Sequence, residues 1–173
     1  MMGSFNIAII RRFLIIFILQ VLVLKRVNIS WEEFHYIFLF IYPLFILLLP
    51  IKISRSVQLL IAFIFGLGID MFYDSPGLHT AALLFTSFIK KYILKFLEPV
   101  EGYTTDSSPT AHKYGFSWFI IYTSILLFIH LLVYFSLEAF SFVYFFEIIL
   151  KTIFSFIFSQ IILLVYILIL NPK

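Results

Sequence analysis

From Gly66 to Thr80 a long apolar run is broken by Gly-Leu-Gly-Ile-Asp-Met-Phe-Tyr-Asp-Ser-Pro-Gly-Leu-His-Thr, and one straight helix cannot continue through it. Pro76 fixes φ near −65°, and Gly77 supplies the positive φ that a type II turn over Ser75-Pro76-Gly77-Leu78 requires. Asp70 lies one helical turn beyond Gly66, and Asp74 one turn beyond Asp70, so the three share a face. The pattern predicts two helices folded back on each other, with a carboxylate near the turn that needs a partner.

The sequence around this hairpin is too apolar for a soluble core. Hydrophobic residues make up 63% of the 173 and charged residues only 12%; mean hydropathy is +1.12. The 24 Phe and 10 Tyr carry more aromatic surface than a soluble domain of this size can hide, so much of it must face lipid. Without Cys, a disulfide framework and thiolate chemistry are excluded. The basic residues stand at the ends of apolar runs rather than along one helical face, which points to membrane topology and away from nucleic acid.

The runs predict an all-α polytopic membrane protein, a single transmembrane domain of six helices at 5–24, 34–49, 53–72, 78–97, 116–137 and 146–170. Lys25-Arg26-Val27 follows the first run where a signal peptide would carry small residues, so an uncleaved first helix is expected. Trp31 and Tyr36 read as interfacial aromatics before the second span, which Pro43 should kink. The stretch 98–115 is the one long polar segment and reads as a mobile cytoplasmic loop. Lys90, Lys91 and Lys95 close the fourth span, where their stems can snorkel to phosphates.

With six spans, one side carries Arg11, Arg12, Lys52, Arg55, Lys90, Lys91, Lys95, Lys113 and Lys173. The other carries Lys25, Arg26 and Lys151. Nine against three places both termini in the cytoplasm and turns the Asp74-Ser75-Pro76-Gly77 corner outward. The two halves do not repeat each other's Gly and Pro breaks, which argues against an inverted-repeat transporter.

Several constellations carry chemistry. Ala62, Gly66 and Asp70, with Gly68 beside them, thin one face of the third span and permit close approach of another helix, from this chain or from a partner. Asp70 and His130 fall at similar depth, and Thr123, His130, Tyr134 and Glu138 share a face. These predict an outer polar cluster of Asp70, Gln20, His130, Tyr134 and Glu138 that locks helices together. Glu147 and Lys151 can pair at i, i+4, while Ser155 and Ser159 permit a tight seam.

Enzyme readings are weak. Gly115-Phe116-Ser117-Trp118 lacks the closing glycine of a serine-hydrolase elbow. Asp70 and Asp74 share one helix end, with Asp106 on the other side, so they do not face each other as an aspartyl dyad. His35, His79 and His130 have no metal-ligand spacing. No catalytic residue, cofactor or metal is expected.

Phe65-Gly66-Leu67-Gly68-Ile69-Asp70-Met71-Phe72, followed by Ser75-Pro76-Gly77-Leu78-His79-Thr80-Ala81, resembles the Gly-Leu-x-x-Asp hairpin and Gly-x-His continuation of the bacterial rod-shape-determining MreD family, in its Bacteroidetes-like branch. Leu19-Gln20-Val21-Leu22-Val23-Leu24, the basic end of the fourth span and the overall length support the likeness. The likeness covers the whole chain, but its specificity lies in the hairpin, where Gly66, Asp70, Phe72, Gly77 and His79 stand at the marked positions.

The resemblance implies a multi-pass inner-membrane scaffold of the cell-elongation complex with no reaction of its own. Such a protein binds the bitopic protein MreC and helps couple MreB filaments to peptidoglycan synthesis by a transpeptidase and a SEDS glycosyltransferase. It also implies a six-helix fold similar to the substrate-binding subunits of energy-coupling-factor transporters. A vitamin or small-solute uptake subunit is therefore the alternative function.

Overall fold

A computed structural model describes residues 2–30, 36–103 and 108–170. Trp31, His35, Asp106 and Lys173, which entered the reading above, lie outside them. The described residues are helical with no strand: α1 (Met2–Ile18), a π-helical stretch (Leu19–Leu24), α2 (Lys25–Ser30), α3 (Pro43–Leu47), α4 (Arg55–Tyr73), α5 (Leu78–Phe96), α6 (Ala111–Tyr114), α7 (Phe116–Ala139), a short 3-10 turn (Phe142–Tyr144) and α8 (Phe145–Leu170). Three helices, α4, α7 and α8, are long and apolar enough to cross a membrane. α5 packs between α4 and α7, and α7 between α5 and α8.

Charge is sorted along this bundle. Lys25 meets Asp74 at 4.0 Å at one end, and Lys151 bridges Glu138 at 3.2 Å and Glu147 at 3.0 Å. Tyr134 packs against His79 with ring centroids 4.8 Å apart, which brings the end of α7 to the same level as the start of α5. The opposite end holds Arg12, joined to Ser108 at 3.2 Å, together with the lysines of α5.

The second predicted span is not a helix. Of its described residues, 36–49, only the five of α3 are helical, and every residue from 39 to 50 is buried. Pro43 starts α3 because its ring would clash with the carbonyl four residues back and it has no N–H to give; Pro50 prevents continuation. The segment instead threads through the bundle, so its backbone groups need other partners.

Those partners are side chains. Ser155 Oγ accepts the N–H of Phe38 and Ser159 Oγ that of Phe40, both at 2.9 Å. Gln20 Oε1 accepts from Ile41 at 2.8 Å and Tyr42 at 3.3 Å, while its Nε2 donates to the Leu39 carbonyl at 3.1 Å. The last carbonyls of α3 and the turn after it receive Lys90 Nζ, at 2.9 Å from Ile46 O and 2.8 Å from Leu49 O. Tyr122 Oη donates to Leu47 O at 2.9 Å, and Arg12 Nη1 to Leu48 O at 3.4 Å. Cations at a helix C-terminus also suit its partial negative charge. Lys90 is thus not a snorkelling residue, and Ser155 and Ser159 do more than allow close packing.

The described parts of 98–115 are anchored rather than loose, because aromatic and hydroxyl groups tie them to α5 and α7. Tyr103 Oη donates to Leu94 O at 2.7 Å, Trp118 Nε1 donates to Leu97 O at 2.8 Å, and Ser108 and Thr110 are buried. Burial, with the negative field of Glu98 added, pushes the Tyr103 phenol up to about 12.

Lys90→Met should leave the Leu49 carbonyl without a donor, while the Ile46 carbonyl keeps the Leu49 N–H, and destabilise the fold by about 2 kcal/mol, within the range of about 1–3 for an unsatisfied buried acceptor. Lys91→Met, on an exposed neighbour, should be near neutral. Reversible unfolding of the two variants in mixed detergent micelles measures the difference, and equal midpoints would contradict the assignment.

Candidate functional site

The hairpin of α4 and α5 closes around one carboxylate. Asp74 ends α4 in the left-handed conformation, φ 52, with its N–H on the Asp70 carbonyl. Gly77 follows with φ 86 and ψ 1, the values position i+2 of a type II turn needs, so the predicted turn chemistry holds there. Gly77 is also the residue before α5, where a helix normally finds a Ser, Thr, Asn or Asp side chain to accept its first N–H groups.

Asp70 supplies that acceptor from the preceding helix. Its Oδ1 accepts the N–H of His79 and its Oδ2 the N–H of Thr80, both at 2.9 Å. Ser75 Oγ donates to Oδ1 at 2.9 Å and Thr80 Oγ1 to Oδ2 at 2.5 Å. His79 Nδ1 stands 3.0 Å from Oδ1 and 2.8 Å from Ser75 Oγ. Both oxygens are therefore saturated by donors within ten residues of chain, and the charge sits on the positive end of α5.

Close approach makes this geometry possible. A Cβ built on Gly66 would lie 2.5 Å from the Cα of Thr80, so a side chain there would collide with backbone. Gly68 faces α1 instead, where a Cβ would meet the edge of the Phe17 ring at 3.1 Å. Lower down, Gln58 Nε2 donates to the carbonyl of Ser87 at 2.7 Å and to its hydroxyl at 2.9 Å. The Ala62, Gly66 and Asp70 face is consequently filled by the chain's own α5. The chain's own helix is one of the two occupants left open by the sequence.

His79 is fully buried in a cage of rings. Phe40, Tyr42, Tyr73 and Tyr134 have centroids 5.9, 5.4, 4.8 and 4.8 Å from the imidazole, and its Nε2 has no hydrogen-bond partner. Tyr42 leads from this cage to His130, whose Nε2 is 2.6 Å from the Tyr42 hydroxyl and whose Nδ1 is 2.9 Å from Thr86 Oγ1. Thr86 gives its proton to the Ala82 carbonyl at 2.8 Å. That leaves His130 Nδ1–H as donor to Thr86 and Nε2 as acceptor from Tyr42, one tautomer fixed by the network.

The predicted outer cluster is thus partly assembled. Asp70 and His130 do not bond to each other; the His79 and Tyr42 rings lie between them, and Tyr134 packs on that stack. Gln20 belongs to the threaded segment and to Tyr73, whose hydroxyl is 2.6 Å from its Nε2. Glu138 stands apart, paired with Lys151. Phe72 is half-exposed; its ring meets Phe17 edge-on at 5.6 Å, and its carbonyl accepts from Lys25 Nζ. Among the described residues no group of three His, Asp or Glu could hold a metal ion.

Sequence reading missed Ser75, Thr80, Tyr42, Thr86 and Tyr122. One signal was available: Gly77 leaves α5 without a cap of its own, so a nearby carboxylate had to be a candidate. Comparison with family models, with curated proteins and with solved structures finds no match.

Asp70→Asn keeps the volume but replaces one acceptor oxygen by a donor, leaving the Thr80 or the His79 amide unpaired. It should cost about 3 kcal/mol, as breaking a buried charge-assisted pair does, with faster hydrogen exchange confined to the first turn of α5. Gly66→Ala should destabilise more than Gly68→Ala, because backbone cannot move aside as the Phe17 ring edge can. Thermal unfolding ranks the pair, and the reverse order would refute the close-approach argument.

Proposed function

We propose that this chain is a non-enzymatic, multi-pass scaffold of the bacterial inner membrane, of the kind that its resemblance to the MreD family implies. It crosses six times with both termini inside: five passes are helical, and the sixth is the threaded segment that takes the place of the second helix. Its partner is an MreC-like bitopic protein of the cell-elongation complex. Through it the chain helps couple MreB to the transpeptidase and the SEDS glycosyltransferase.

The observation that carries this reading is the coherence of the hairpin. Four of the five positions marked by the resemblance serve one closure. Gly66 admits Thr80, Asp70 caps α5, Gly77 turns the chain, and His79 contributes an amide and a ring to the lock. Such a carboxylate is spent on architecture, which favours a rigid platform over a reaction centre.

The alternative, an uptake subunit, requires a solvated outer cavity lined by Asp70, His130 and Tyr134. These three are buried at 6%, 0% and 6% exposure and packed against their own chain. That arrangement favours the scaffold.

Affinity purification of the tagged chain from native bacterial membranes should recover a bitopic protein with an extracytoplasmic domain, together with cell-elongation proteins. Recovery of an ATPase module would overturn the reading in favour of transport. Because Gly66 faces α5, Gly66→Leu should reduce partner recovery only together with the unfolding midpoint. A Gly66→Leu protein of unchanged midpoint that had lost the partner would put the groove back in contact with it.

A further inference from the structure

We propose that the turn joining α7 to α8 is an interfacial anchor: Phe140, Val143 and Phe146 enter the headgroup layer of the leaflet at that end of the bundle and set the depth at which both helices stop. The inference goes beyond the scaffold reading and rests only on α7 and α8 crossing a membrane.

The turn is both strained and bare. Among the described residues, two other than glycine have positive φ, Asp74 and Phe140. A short carboxylate side chain tolerates the left-handed region, whereas a bulky aromatic one is strained there. Phe140 adopts φ 44 and ψ 24 to end α7, with its N–H on the Ser136 carbonyl, a place that Gly or Asn fills at less cost. Its ring is 89% exposed, so packing within the described chain does not offset the strain. Strain left uncompensated inside a chain points to a contact outside it. Val143 and Phe146, at successive third positions, are exposed at 86% and 81%, and Tyr144 and Phe145 are half-exposed.

Three observations identify the bilayer as what covers these side chains. The first is continuity. Phe146 begins a stripe of exposed residues on α8 that runs through Leu150, Ile153, Ile157, Ile161 and Leu168, at steps of four, three, four, four and seven. Those steps keep one face of a helix that is long and apolar enough to cross a membrane, so lipid meets that face, and the turn extends it. The second is reach. α7 has 24 residues and α8 has 26, which at 1.5 Å per residue gives about 36 and 39 Å. That exceeds a hydrocarbon core of about 30 Å but not the roughly 40–45 Å that includes the headgroups, so the turn stands within the interfacial layer. The third is chemistry. No residue from Ala139 to Phe146 is charged, and the charges that flank the turn, Glu138, Glu147 and Lys151, are already paired with one another. A soluble protein partner needs a polar rim to fix its orientation, and the turn offers only the hydroxyls of Ser141 and Tyr144. Aromatic side chains carrying little charge are what the headgroup boundary accepts.

Because the chain has no cysteine, a single Cys substitution can carry a nitroxide label whose depth is read from its collisions with oxygen, which concentrates in hydrocarbon, and with a water-soluble nickel chelate present on both sides. The full chain is labelled at Val143→Cys, at Ile157→Cys in the middle of the α8 stripe, and at the fully exposed Val100→Cys, each in phosphatidylethanolamine and phosphatidylglycerol vesicles. Ile157 should show the highest oxygen-to-nickel ratio and Val100 the lowest, with Val143 between them. Phe140→Asn, which suits the left-handed backbone, combined with Phe146→Gln, should drop the Val143 ratio to the Val100 value without lowering the unfolding midpoint in micelles. A ratio at Ile157 as low as at Val100 would refute the crossing of α8, and the anchor with it. A deep Ile157 beside a Val143 that matches Val100 would overturn the anchor alone. Shielding of Val143 from both reagents would assign the turn to contact between copies, a ratio that survives loss of both rings would show that they do not hold the depth, and a lowered midpoint would show that they serve the fold; each of these also overturns the proposal.

Discussion

Backbone that is neither helical nor exposed has to find hydrogen bonds from somewhere, and in this protein that requirement governs the interior. Residues 39 to 50 are buried without a continuous helix. Non-helical backbone can persist at membrane depth only where protein surrounds it and satisfies it. Each unsatisfied group would cost about 1–3 kcal/mol, comparable to a good share of the net stability of a whole domain. The polar side chains scattered through otherwise apolar helices answer this need: Gln20 from the π-helical stretch, Lys90 from α5, Tyr122 from α7, and Ser155 and Ser159 from α8. The threaded segment thereby holds elements far apart in sequence to one another.

The hairpin obeys the same rule on a smaller scale. The first N–H groups of a helix lack intrahelical partners, and a glycine before α5 offers none. Asp70 reaches across from α4 and takes two of them. Because the acceptor belongs to the preceding helix, the cap is also a cross-link, and it works only if α4 and α5 nearly touch, which Gly66 permits. The turn, the glycine and the carboxylate are therefore one device. Removing any part removes the reason for the others.

How much of this was legible depended on whether the information was local. The turn at Ser75-Pro76-Gly77-Leu78, the Glu147 and Lys151 pair and the apolar character of α4, α7 and α8 follow from spacing along one stretch, and the structure contains all of them. The helix expected over 34–49 does not form along its described residues, because the same hydrophobicity fits a spanning helix and a buried extended thread equally well. What distinguishes the two is the bracket of Pro43 and Pro50, together with polar partners more than a hundred residues away in Ser155 and Ser159. Asp70 was legible as a lock. Its partners were not, since a side chain accepting from the next helix leaves no periodic trace. Lys90 was misplaced for a related reason: a lysine near a helix end usually reaches for water or phosphate, and only the carbonyls of Ile46 and Leu49 draw it inward.

A chain that spends its interior polar groups on its own backbone has few left with which to recognise anything else from within. Lys90 and Asp70 are occupied, and His130 is fixed between Tyr42 and Thr86. Recognition must therefore come from surfaces: the half-exposed Phe72 beside Lys25, the charged triad of Glu138, Glu147 and Lys151, and the arginines at the opposite end. The two ends differ in kind. One presents paired charges over a tightly closed turn; the other presents exposed cations, Arg11, Lys91 and Lys95 among them. A rigid interior connecting two such ends would hold whatever each one binds at a fixed separation across the bundle, and that fixed separation is what the proposed scaffold role requires.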